Sequence, residues 1–80
     1  MATASASSDR TPRHLQKRSF RLAGHRTSVA LEPEFWLALE EFADRDGRNL
    51  SVLVEGVDAT RSDPTAPLAS ALRVFALKHR

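Results

Sequence analysis

Apolar and polar residues alternate from Lys17 to Leu22, where KRSFRL sets Phe20 and Leu22 on one face of a strand and Ser19 and Arg21 on the other. The alternation resumes over RTSVAL, from Arg26 to Leu31, with Thr27, Val29 and Leu31 on the apolar side. Between the two stretches the apolar set moves from even to odd positions. Side-chain direction in a strand has a period of two, so one uninterrupted strand cannot hold both sets against the same core. The chain must bulge or turn near Ala23, Gly24 and His25, and Gly24 tolerates the positive φ this requires. Two short strands are predicted.

At Glu32 the period changes. Pro33 suits the first turn of a helix, and Glu32 and Glu34 favour the positive end of its dipole. Phe35, Trp36, Leu39, Phe42 and Ala43 then recur at helical spacing, with Glu40, Glu41, Asp44 and Arg45 on the other side. This spacing predicts a first helix over 33–46, ended by Gly47. Asn49 is a good N-cap for a second helix, whose stripe Leu50, Leu53, Val54, Val57 runs to about Arg61. Gly56 inside it costs ~1 kcal/mol relative to Ala, which points to a close helix contact there. After the linker SDPTAP, Leu68, Leu72, Phe75 and Ala76 predict a third helix over about 67–79, with cations in its last turn. No internal repeat is visible.

Composition sharpens this outline. Residues 1–16, MATASASSDRTPRHLQ, carry almost nothing apolar to bury, so they are expected to form a disordered basic arm before a domain over 17–80. A foldable part of about 60 residues buries only about 60% of the surface its unfolded chain exposes, which favours an oligomer. The absence of Cys removes disulfides, thiolate metal sites and a Cys nucleophile. No apolar run is long enough to span a bilayer and the first residues lack the apolar stretch of a secretory signal, so a cytoplasmic location is expected. Charge is segregated. Residues 1–31 carry Arg10, Arg13, Lys17, Arg18, Arg21 and Arg26 against Asp9 alone, whereas nine acids against three arginines fill residues 32–63. A basic first third on an acidic body is a footprint of nucleic-acid contact.

The order strand, helix, Gly turn, helix resembles the Arc-like ribbon-helix-helix repressors, and TSVALEPEFWLALEEFADRDGRNLSVLVEGV is similar to their ungapped pattern. More narrowly, AGHRTSVALEPEFW and PLASALRVFAL resemble a family of short bacterial proteins with a ribbon-helix-helix domain and an added C-terminal helix. The resemblance implies an α+β, mostly α fold. It would be a homodimer in which strands near 25–31 from two subunits pair antiparallel, with an extra N-terminal strand and a third helix. Physics favours the same pairing, because a lone strand beside two amphipathic helices leaves a row of backbone groups unpaired. Dimers could pair further into tetramers.

A two-stranded ribbon fits the major groove of double-stranded DNA. The resemblance implies base reading by Arg26, Ser28 and Ala30, of which Ala30 offers only a methyl group, and a transcription regulator as the function. It also implies a phosphate clamp at the start of the second helix, Asn49, Leu50 and Ser51, although ordinary capping explains the same residues. Lys17, Arg18 and Arg21 would add phosphate contacts if the extra strand extends the ribbon; if it covers the ribbon instead, it blocks the groove. The alternative is an adaptor or small-ligand sensor, binding a metabolite or protein partner through Arg21, His25, Arg26 and Ser70. His14, His25 and His79 lack partners at ligand spacing, so neither a metal nor another cofactor is expected. Ser28 lacks the surroundings of a nucleophile, which argues against an enzyme. Trp36 is expected in the core.

Overall fold

A computed structural model describes residues 14–61, 63 and 65–79; residues 1–13 of the expected arm lie outside the described residues. The fold is α+β: strands β1 (Gln16–Leu22) and β2 (His25–Leu31) form an antiparallel pair, followed by helices α1 (Pro33–Arg45), α2 (Leu50–Ala59) and α3 (Leu68–Lys78).

The change of parity is resolved by a two-residue turn. Ala23 at φ 51° and Gly24 at φ 82° both occupy the left-handed region, the mark of a type I′ hairpin turn whose twist matches that of its strands. The turn sets Leu22 opposite His25, Phe20 opposite Thr27, Arg18 opposite Val29 and Gln16 opposite Leu31. Even positions of β1 thereby share a face with odd positions of β2. Phe20, Leu22, Val29 and Leu31 are all buried on that face.

Pro33 occupies the first turn of α1, and the helix ends in a Schellman motif. Arg48 N–H reaches Ala43 O at 2.9 Å and Gly47 N–H reaches Asp44 O at 3.1 Å, with Gly47 at φ 72°. Asn49 caps α2, its Oδ1 accepting from Val52 N–H at 2.9 Å. The helix stops at Ala59, two residues short of the sequence expectation, where the Thr60 hydroxyl donates to Gly56 O at 3.0 Å. Among the described residues, no other helix makes the close contact expected at Gly56. A Cβ there would meet only the Arg48 guanidinium, at 3.8 Å.

The core joins Phe20, Leu22, Val29 and Leu31 to Trp36, Leu39 and Ala43 of α1, Leu53, Val54 and Val57 of α2, and Leu72 and Ala76 of α3. Trp36 is a core residue, as its spacing indicates. Its ring packs on Phe20 at 5.8 Å between centroids, and its Nε1 donates to Gln16 O at 2.8 Å, tying α1 to the start of β1. An ion pair from Arg73 Nε to Glu32 Oε1, 3.0 Å, fastens α3 to the β2–α1 junction. The Glu32 carboxyl lies below the usual carboxylate range because its own backbone amide and then Arg73 hydrogen-bond it. Aromatic contact from Phe42 to Phe75, edge-on at 5.0 Å, links α1 to α3. The strand partner of β2 in this chain is thus its own β1.

Candidate nucleic-acid interface

Opposite the core, the hairpin presents three rungs of side chains. The register sets Arg21 across from Arg26, Ser19 across from Ser28, and Lys17 across from Ala30. Five of these residues are exposed and Ala30 is half-buried. The two serine hydroxyls lie 3.1 Å apart, as expected where side chains from paired strands meet on one face. The extra strand therefore extends the ribbon face that carries Arg26 and Ser28 and leaves it open.

The electrostatics of this face are one-sided. None of its six residues is acidic, and Arg21 and Arg26 are like charges directly opposite, a placement that destabilises a sheet. Elsewhere the described arginines are engaged. Arg18 pairs with Glu40, Arg48 with Asp46, Arg61 with Asp58 and Arg73 with Glu32, while Arg45 reaches His79 O. Among the described residues, Arg21 and Arg26 alone of the arginines make no internal hydrogen bond or ion pair.

The residues singled out in the sequence fall into separate groups. Arg26, Ser28 and Ala30 share the open face with Lys17 and Arg21. Arg18 lies on the other side of the sheet, where its guanidinium sits 4.9 Å from the Trp36 ring centre and binds Glu40. Asn49 uses its side-chain acceptor on the cap of α2, with Leu50 half-buried and Ser51 exposed in the first turn. Ser70 lines an open groove of about 500 Å³ between α2 and α3, with Val57, Thr60, Ala71, Val74 and Phe75. Arg21, His25 and Arg26 do not line that groove. Between α3 and the ribbon, where a sensor would need a cavity, Leu72, Ala76, Val29 and Leu31 are buried in one cluster.

Ser19 escaped notice in the sequence, as did the Arg21–Arg26 rung, because both depend on knowing which strand pairs with β2. One signal was available. KRSFRL and RTSVAL repeat the same order of cation, Ser, buried apolar residue and Leu at an offset of nine positions.

Residues 15–80 match a family described as a ribbon-helix-helix domain. Among solved structures, an uncharacterized protein from Bordetella pertussis Tohama I is similar, with a TM-score of 0.72 and 36% identity. The match covers 96% of this chain and 67% of that one. No curated protein matches the sequence.

Proposed function

The chain belongs to the ribbon-helix-helix family, and from that premise we propose that it is a cytoplasmic transcription regulator that lays the open face of its hairpin in the major groove of double-stranded DNA. The observation that carries this reading is the Arg21–Arg26 rung. Two unpartnered guanidinium groups on an acid-free face cost the fold stability and are offset by an anionic ligand. A two-stranded ribbon is of a size to enter the major groove, where Arg forks match guanine O6 and N7 and Ser contacts several bases. Lys17 and the first-turn amides of Leu50 and Ser51 are the proposed phosphate contacts. Arg18, held by Glu40, takes no part.

Fluorescence anisotropy with a labelled duplex, titrated from low to physiological salt, tests the reading. Binding is expected to weaken steeply with salt, and each of Arg21→Ala and Arg26→Ala is expected to lower the log–log salt slope by about 1 if the lost contact is to phosphate, or to relax base preference if it is to guanine. A wild-type protein that binds no duplex at low salt, or variants that bind as it does, would overturn the proposal.

A further inference from the structure

A hairpin has two edges, and the edges of this one are built differently. The two-residue turn makes Leu22–His25 a hydrogen-bonded rung. Alternation from there aims the backbone N–H and C=O groups of Arg26, Ser28 and Ala30 outward from β2, and those of Lys17, Ser19 and Arg21 outward from β1. β1 carries three cations in seven residues, Lys17, Arg18 and Arg21, the charged kind of edge that resists further pairing. β2 carries one, Arg26, and includes the β-branched Thr27 and Val29. The strand-paired dimer that the family resemblance implies therefore fits the β2 edge. Antiparallel pairing of all seven residues, His25–Leu31, would put Ser28 on the two-fold axis. That register keeps odd positions opposite odd ones, so both copies would bury Val29 and Leu31 on the same side of the sheet. Such a dimer has four strands, with the two β2 strands at the centre and a β1 strand at each flank.

Building on the DNA-binding reading above, we infer that the two strands of the hairpin do different work on DNA: the central β2 pair reads bases through Arg26 and Ser28, and the flanking β1 strands grip the phosphate walls of the groove through Arg21 and Lys17. Width decides the division. Strands lie about 4.8 Å apart, so the two β1 strands are about 14 Å apart across the sheet, whereas the major groove is about 12 Å wide. The central pair enters the groove. The outer strands rest over its rims, where the ligand is phosphate. The side chains follow the same division. The central rung is serine in all four strands, Ser19 and Ser28 from each copy. Each rung beside it runs Arg21, Arg26, the partner's Ala30 and the partner's Lys17, so both flanks end in a cation. Ala30, half-buried beside Lys17, keeps a further like charge out of that row.

The chain contains no cysteine, so single engineered thiols report which strands meet at the centre. Ser28 opposite its own copy is a hydrogen-bonded rung with Cα atoms about 5.5 Å apart, within disulfide range, whereas the two Ser19 residues are about 14 Å apart. Full-length S28C is expected to oxidise to a covalent dimer on a non-reducing gel and S19C to stay uncrosslinked, with circular dichroism confirming that every variant is folded. Selection from a randomised duplex pool then gives the base preference of the wild type. Arg26→Ala is expected to relax it, by roughly 5- to 150-fold for each guanine read. Arg21→Ala is expected to keep the preference, to weaken binding to every duplex alike and to lower the log–log salt slope by about 2 for the dimer, one contact from each copy; Arg21→Lys is expected to restore the slope. A crosslink from S19C, or none from S28C, overturns the strand order. Arg21→Ala that shifts the base preference, or leaves the slope unmoved, overturns the division between strands; all these outcomes leave DNA binding standing. Folded wild type that binds no duplex while S28C crosslinks overturns the DNA-binding reading itself and leaves the strand order standing.

Discussion

If α3 is part of the structural core, shaving one side chain from it should nearly unfold the domain. Leu72 is 0% exposed and packs in the cluster that holds Val29 and Leu31 of the ribbon, whereas Leu77, one and a half turns along the same helix, is 54% exposed. Truncating a fully buried Leu to Ala costs about 2–5 kcal/mol through lost transfer energy and the cavity left behind. A domain of about 65 residues has roughly 3–10 kcal/mol in total. Leu72→Ala is therefore expected to remove a large share of the stability and to lower Tm by at least ~8 °C, at 4–8 °C per kcal/mol for a domain this small. Leu77→Ala should stay within about 0.5 kcal/mol of the parent. Urea titration followed by circular dichroism and by Trp36 emission measures both. Trp36 is the single tryptophan, it is 1% exposed, and it is hydrogen-bonded to β1, so its emission follows the ribbon while the dichroism follows the helices. Equal, small effects from the two variants would refute the packing of α3 against the ribbon. Two separated transitions for the wild type would show that hairpin and helices do not fold as one unit.

The turn and the α3 tether give two further predictions. Ala23 holds φ 51°, a region that costs an L-residue roughly 1–2 kcal/mol and that Asn occupies more easily; Ala23→Asn should stabilise the protein by up to ~1 kcal/mol in thermal melts, and a loss would refute the type I′ turn. The Glu32 pKa is lowered on folding, so its contribution is full above the unfolded carboxyl value and is lost as pH falls through the folded one. Melts taken from neutral pH down to roughly pH 3 should show a shallower acid decline for Glu32→Gln than for the wild type. Asp63, held low by Thr65, remains in both proteins and cancels in the difference.

Elements were legible in this sequence wherever periodicity meets a residue of special geometry. Pro33 opens α1, Gly47 follows its C-cap and Asn49 caps the start of α2, because capping is local; the end of α2, which no such residue marks, falls two residues earlier than its stripe indicates. The second strand was legible from parity alone. Its neighbour within the chain was not, because a strand's pattern specifies which face is buried and leaves open which strand lies at its edge; β1 takes one edge of β2, and among the described residues no strand lies on the other. Arg18 misled for a related reason. It is one of a run of cations in the sequence, yet its even position turns it toward α1, where Glu40 waits 22 residues downstream. Gly56 misled because the cost of glycine in a helix says that something is tolerated there and not what: among the described residues only the Arg48 guanidinium comes within 4 Å of a Cβ placed there.

Segregation of charge along the chain becomes, in the fold, segregation between faces. Basic residues on the core side of the sheet or on α3 meet the acids of the body, as Arg18 meets Glu40 and Arg73 meets Glu32. Arg21 and Arg26 face away from those acids and toward each other. Such a rung trades stability for ligand affinity, and the trade can be read in a single variant. Arg21→Thr replaces a like-charge pair with a β-branched residue suited to a strand, a change worth a few tenths to about 1 kcal/mol at a cross-strand position. Its melting temperature should rise by roughly 1–8 °C, while its affinity for duplex DNA should fall. A rung that served only the fold would move both quantities in the same direction, and a fall in both would sink the argument. Opposite movement is the behaviour of a residue kept for what it binds.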